Sequence, residues 1–140
     1  MPMTEDIVEY LCANLSSTWI NPTVSPTTGN IFIEQRPSEP DVAASVHQLP
    51  GGKLAKTFKN RAWENPRLRI INRAAALDWA TAESDAFAIW NLLTTVVNQE
   101  LNGTFYMILD SEGSPAPTQL DPNNRPLYVQ EYAVMKYLSD

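Results

Sequence analysis

Hydrophobic residues recur at helical spacing in two stretches of the chain. The first stretch predicts a helix over residues 4–16, because its apolar positions fall three and four apart. Its apolar stripe consists of Ile7, Val8, Leu11, Cys12 and Leu15. The second stretch predicts a longer helix within residues 78–102, ended by Asn102-Gly103, because glycine readily adopts the left-handed conformation after a helix. A helix of about 20 residues would be about 30 Å long.

Alternating or continuous apolar runs predict five strands, over residues 30–36, 41–48, 67–73, 104–109 and 127–138. The first two flank a turn at 36–41 that contains Pro37 and Pro40, and we expect them to form an antiparallel pair. In the last strand the alternation is interrupted near Gln130-Glu131, which indicates a β-bulge.

These elements predict an α+β fold. We expect a mainly antiparallel sheet covered by one long helix and a shorter N-terminal helix. The 140 residues suit a single domain over 1–140, with a flexible loop at 50–62 that follows Pro50-Gly51-Gly52.

The predicted strand at 67–73 carries three arginines on one face. Arg67, Arg69 and Arg73 lie on the side opposite Leu68 and Ile70, because strand side chains alternate. Such a row is either a solvated sheet face or a surface that pairs with carboxylates of a neighbouring subunit. Both interpretations remain open from the sequence.

A basic segment with interleaved apolar residues follows the Gly-Gly pair. It contains Lys53, Lys56, Phe58, Lys59 and Arg61. It is either a solvated loop or a docking loop that becomes ordered on a partner. Nucleic-acid binding is less favoured, since the segment lacks a wider basic surround.

Charge and composition narrow the possible partners. The net charge of −6 argues against strong, general binding to a phosphate backbone. Charged residues make up only 19% of the chain, which favours some surface that contacts protein. The single cysteine, Cys12, cannot form an internal disulfide, and no apolar run is long enough to span a membrane. We therefore expect a soluble protein that is assembled in a cytoplasm.

No pattern of catalytic or ligand-binding residues is recognisable. His47 is the only histidine, and Gly51-Gly52 lacks the frame of a phosphate-binding loop. The segment Asp110–Gly113 resembles only a fragment of a calcium loop. We expect no catalytic, metal or cofactor site and no cofactor, so a non-enzymatic, assembling subunit is the favoured interpretation.

The order of segments resembles the tail terminator proteins of long-tailed bacteriophages, also described as tail completion or minor capsid proteins. The resemblance covers nearly the whole chain and is carried by local sequence and order rather than by one motif. The segments concerned are the N-terminal helix, RPSEPD at 36–41, the Gly-Gly loop, WENP at 63–66, LRIINR at 68–73, the long helix with Asn102-Gly103, DPNNRP at 121–126 and the final aromatic strand.

The resemblance implies a virion protein that forms a ring, by family a hexamer, at the end of the tail tube. Such a ring ends tube growth, joins the tail to a neck or head-completion protein, and lets genome DNA pass without specific binding. It implies assembly in the host cytoplasm and no membrane partner. Arg67, Arg69, Arg73 and the segment 53–61 then become candidate contacts with other subunits or with the tail tube protein.

Three alternatives remain. The chain could be another neck protein, such as a head-completion or stopper subunit, or an interaction domain outside any virus. A small hydrolase using Asp121, His47 or Cys12 is a further possibility, which a deep pocket that joins two of these residues would support.

Overall fold

A computed structural model of the chain describes residues 2–50, 55–56 and 62–137, with side chains described over 2–50 and 64–137. The two helices are α1 (Met3–Asn14) and α2 (Trp79–Leu93). The strands found in these ranges are β1 (Ile31–Ile33), β2 (Ala43–Leu49), β3 (Ala55–Lys56), β4 (Ala62–Glu64), β5 (Arg67–Arg73), β6 (Val97–Leu101), β7 (Thr104–Ser111), β8 (Ala116–Pro117) and β9 (Leu127–Tyr137).

All described strands belong to one mixed sheet. Its main path runs β1-β2-β5-β9-β4-β3, and β7 and β8 pair with the other edge of β9, with β6 outside β7. The strand at 67–73 lies where its alternation predicted it. The order places β2, β5, β9 and β7 side by side in the middle of the sheet.

The expected antiparallel pairing of the first two strands is wrong. β1 runs parallel to β2, with Ile31 opposite Ala44 and Ile33 opposite Val46. The backbone of Glu34 has a positive φ of 60°, and the chain then returns to the start of β2 instead of turning directly into it. The buried guanidinium of Arg73 holds this return segment by donating to the carbonyls of Pro37 and Pro40. The sheet is therefore mixed.

The prediction of one long helix covering the sheet is also wrong. α2 has 15 residues and α1 has 12, so the described residues form two short helices of similar length. α2 ends at Leu93, where the hydroxyls of Thr94 and Thr95 donate to the carbonyls of Trp90 and Leu92. β-branched residues at 94–97 favour extended backbone over helix, and the chain continues into β6.

Asn102-Gly103 is a hairpin turn rather than a helix stop. Asn102 has a φ of 53° and Gly103 a φ of 87°, which is the left-handed pair that a two-residue hairpin requires. The turn joins β6 to β7, with Leu101 opposite Thr104.

The core lies on one face of the sheet, where both helices pack. The inward positions of β5 and β9 are buried, and α1 contributes Met3, Ile7 and Leu11 to the same cluster. Two buried amides fix α2 to the sheet, since Asn72 donates to the carbonyl of Ala82 and Gln130 to that of Ala86. Within the described part of the chain, no helix covers the opposite face of the sheet.

The predicted bulge near Gln130-Glu131 is wrong. Buried and less buried positions alternate along the whole of β9, and Gln130 takes a buried position where its side chain bonds the helix. The register shift lies instead in β7, between Tyr106 and Ile108. A polar residue thus interrupted the apolar pattern without interrupting the strand.

Candidate assembly surfaces

The helix-free face of the sheet, here called the open face, presents the outward residues of β2, β5, β9 and β7. Arg67, Arg69 and Ile71 are half-buried and alternate with the buried Leu68 and Ile70. In register, Arg69 lies between His47 of β2 and Glu131 of β9. The prediction that Arg67 and Arg69 lie on the face opposite Leu68 and Ile70 is therefore confirmed.

The arginines of the open face pair with carboxylates of the same chain. Arg67 lies 2.8 Å from both Glu112 and Glu131, and Arg69 lies 2.9 Å from Glu131. These four side chains, here called the charged row, form one connected network. Hydrogen bonding and attraction from Glu112 raise the pKa of Arg67, and the same bond lowers the pKa of Glu112. The side chains keep 25–40% exposure, so each pair contributes little to stability.

The row also has a polar neighbour on β2. His47 Nε2 lies 2.8 Å from the hydroxyl of Ser45, and its Nδ1 lies 3.6 Å from Glu34. The side chain of Arg36 donates to the same hydroxyl at 3.3 Å. These contacts connect the open face with the segment that follows β1.

Arg73 has a different environment from Arg67 and Arg69. It is 2% exposed, and its guanidinium donates to the backbone carbonyls of Pro37, Pro40 and Asp41 at 2.6–3.0 Å. Burial, with Arg125 and Arg36 nearby, lowers its pKa. Arg73 thus fixes the loop at the end of the sheet, and its guanidinium is not available on the open face.

The structure does not describe most of the basic segment. Lys53, Phe58, Lys59 and Arg61 lie outside the described residues. Lys56 belongs to β3, opposite Ala62, and only its backbone is described. The role predicted for this segment as a contact surface stays a prediction.

An apolar strip on the open face was missed by the sequence analysis. Val97, Ile108 and Met135 are register neighbours across β6, β7 and β9. Val97 is 53% exposed. The predicted helix within residues 78–102 included Val97. The Asn102-Gly103 pair between two extended runs was the signal that would have placed this residue on an outer strand.

Among the described residues, no histidine, cysteine, aspartate and glutamate side chains form a group of three suited to a metal ion. Burial and Glu9 raise the pKa of the Cys12 thiol to about 11, which disfavours the nucleophilic thiolate. Asp121 accepts hydrogen bonds from Arg125 and supports the turn at 121–126. Neither described helix is both long and apolar enough to cross a bilayer.

Comparison with solved structures gives a match over the length of the fold. The chain is similar to one from the virion of a native gene transfer agent particle, with a TM-score of 0.59 and 14% sequence identity over 94% of each chain. No family model matches the chain, and no curated protein matches it. At this identity the match establishes a shared fold.

Proposed function

We propose that the chain is a non-enzymatic structural subunit of a phage-like virion. The observation that carries the proposal is the similarity in fold to a virion chain over 94% of both chains. A match of this extent covers nearly the whole chain. It does not depend on one common supersecondary motif.

Within this class we propose the tail terminator role. The chain would cap the tail tube as a ring, end tube growth and join the tail to a neck protein, while genome DNA passes through. A closed ring needs a heterologous interface, in which one patch meets a different patch of the next copy. The open face and the outer strands β1 and β6 supply different surfaces of this kind.

Charge supports the same role. The net charge of −6 makes the chain a poor binder of phosphate backbones, and copies arranged in a ring would repel DNA instead of retaining it. Arg67 and Arg69 remain proposed contacts, because their exposed surface can bind further carboxylates beyond Glu112 and Glu131. Arg73 would act indirectly by holding the loop at 36–41.

The proposal is tested with purified protein and tail tubes of the particle that encodes it. We expect the protein to bind tube ends and stop further polymerisation, giving a fixed length distribution in negative-stain images. Rings at tube ends, with six subunits, would support the terminator role. Tubes that keep growing at the same rate in excess protein would refute it.

The virion match also fits a head-completion or stopper subunit, since a shared fold does not fix the position in the particle. Binding to purified, DNA-filled heads without binding to tubes would favour that alternative. The two assays together therefore separate the terminator from its nearest competitor.

A further inference from the structure

A groove lies between α1 and the outer strand β1. Its volume is about 370 Å³, and its floor and walls include Val8, Pro22, Ile31 and Ile33. Ile33 is 37% exposed although it is a large apolar residue. The groove thus offers apolar contact area that no described part of the chain covers.

The backbone of β1 is unpaired on the groove side within the described part of the chain. The carbonyl of Asn30 and the amide of Glu34 bond β2, through Ala44 and Val46. Because backbone groups of successive strand residues point in opposite directions, those of Ile31 and Ile33 point away from β2. They are free to receive an added strand.

The rim of the groove is acidic. Glu5 and Glu9 of α1 both line it, and Glu9 is exposed. Glu5 and Glu9 lie four residues apart on one helix face, so their charges add at the same side of the groove. The fitting occupant is therefore an extended segment with basic side chains and a few large apolar ones.

One segment of the chain has this composition. Residues 53–61 hold four of the ten Lys and Arg residues, together with Leu54 and Phe58, and contain no acid. The part of this segment that the structure describes, Ala55–Lys56, does not lie beside the groove of its own chain. Ile33 lies beside Val46 and Ile70, whereas Lys56 lies beside Ala62, eight residues further along β5 and β4. This distance is about 25 Å at about 3.3 Å per residue.

We propose that the groove beside β1 binds residues 53–61 of a second copy of this chain. Strand β3 of this segment has no partner on its second edge among the described strands, and this edge pairs with β1 of the neighbouring copy. The apolar side chains of the segment pack on Ile33, and its lysines face Glu5 and Glu9. This inference rests on the proposed ring, since it joins two different surfaces of successive copies and so makes the contact heterologous.

A charge-exchange experiment tests the pairing. Variant A carries Glu5→Lys and Glu9→Lys, and variant B carries Lys53→Glu, Lys56→Glu and Lys59→Glu, which makes the segment net negative. In each variant the groove and the segment have the same sign, so we expect self-association at least about tenfold weaker than in the wild type. In an equimolar mixture every contact between A and B joins opposite signs, so association is restored. Analytical ultracentrifugation and tube-end binding are the two measurements.

Matched controls separate charge from fold. Glu39→Lys with Glu83→Lys gives the same change in net charge as variant A, away from the groove, and should associate like the wild type. Glu9→Lys alone changes only an exposed position. If variant A fails to fold, this single variant still tests the charge of the groove. Phe58→Ala should weaken association at unchanged charge.

A labelled peptide of residues 52–62 gives a readout when the protein is a monomer in isolation. We expect its fluorescence anisotropy to show binding to the wild type and weaker binding to Glu9→Lys. Failure of the mixture to restore association, together with equal peptide binding by both proteins, overturns the groove pairing. If the wild type does not bind tube ends but the A and B mixture associates, the pairing stands and the terminator role fails. If the wild type caps tubes and neither charge variant has an effect, the role stands and the pairing fails.

Discussion

The hydroxyl of Tyr106 donates a hydrogen bond of 2.6 Å to the carboxylate of Asp6, and both side chains are buried. The bond connects β7 in the second half of the sheet with the first turns of α1. Burial raises the pKa of Asp6, against the opposing effects of the Tyr106 bond, the Asn102 side chain and the Lys136 charge. Burial and the hydrogen bond to Asp6 raise the pKa of Tyr106 as well. The position of α1, which forms one wall of the groove, therefore depends on this contact.

Tyr106→Phe should lower the free energy of unfolding by about 2 kcal/mol near neutral pH, because it removes the Tyr106 donor from a buried carboxylate. Urea denaturation followed by tryptophan fluorescence measures the change. Tyr10→Phe on the same helix is the control, since Tyr10 is half-buried, and we expect a change within about 0.5 kcal/mol. Equal effects of the two substitutions would show that the bond does not support the fold.

The raised pKa of Asp6 predicts a pH dependence of stability. A carboxyl with a folded-state pKa above its ordinary value of 3.8 favours folding when protonated, and this contribution is lost as pH rises through the folded-state pKa. Asp6→Asn removes this titration. The unfolding free energy of the wild type, relative to that of Asp6→Asn, should thus fall as pH rises from 3.8 through the folded-state pKa of Asp6. A constant or rising difference over that range contradicts the assignment.

The elements that the sequence predicted well are those whose pattern is local. In β5 the burial alternates from Arg67 to Asn72, and the observed bounds, Arg67–Arg73, are those that the local pattern predicted. The helix at 78–102 failed because apolar residues at helical spacing continued past Leu93, where β-branched residues and the Asn102-Gly103 turn favour a hairpin. Giving the Asn102-Gly103 turn more weight than the apolar spacing would have predicted a hairpin here.

Contacts between distant parts of the chain could not be read from the sequence. Glu131 is 62 residues from Arg69, and only the register of β9 against β5 makes them partners. Arg73 has the same spacing as Arg67 and Arg69, yet the loop at 36–41 buries it. The free edge of β1 likewise became visible only when the first two strands proved to be parallel.

Arg73→Met should destabilise the fold strongly. The substitution keeps the apolar stem but leaves the carbonyls of Pro37, Pro40 and Asp41 without their donor, and we expect a loss of about 3 kcal/mol. Arg69→Met is the matched control, because its 40% exposed side chain makes a surface ion pair worth less than about 1 kcal/mol. A thermal melt of both variants checks the order. A smaller loss for Arg73→Met than for Arg69→Met would contradict the anchoring role.

Gly103→Ala tests the hairpin turn. An added Cβ meets no atom within 4 Å, so the cost comes from the positive φ of 87° and not from a clash. We expect a loss of about 1 kcal/mol in the unfolding free energy, and a smaller loss for Gly103→Asn, since asparagine tolerates the left-handed region better. Denaturation curves of the three proteins measure this order. If Ala and Asn were equally costly, the backbone conformation would not be the cause.

Arg69→Glu tests whether the charged row contacts other subunits. The substitution places a carboxylate beside Glu131, and we expect impaired assembly on tail tubes with the fold retained, because the pair is exposed and contributes little to stability. Arg69→Glu with Glu131→Arg restores an opposite-charge pair within the chain but leaves the charge pattern of the row reversed. If the row binds a neighbouring subunit, assembly by the double variant stays impaired although position 69 again has a partner of opposite charge. If the double variant assembles like the wild type, the charged row makes contacts only within its own chain, and Arg69 is not a subunit contact.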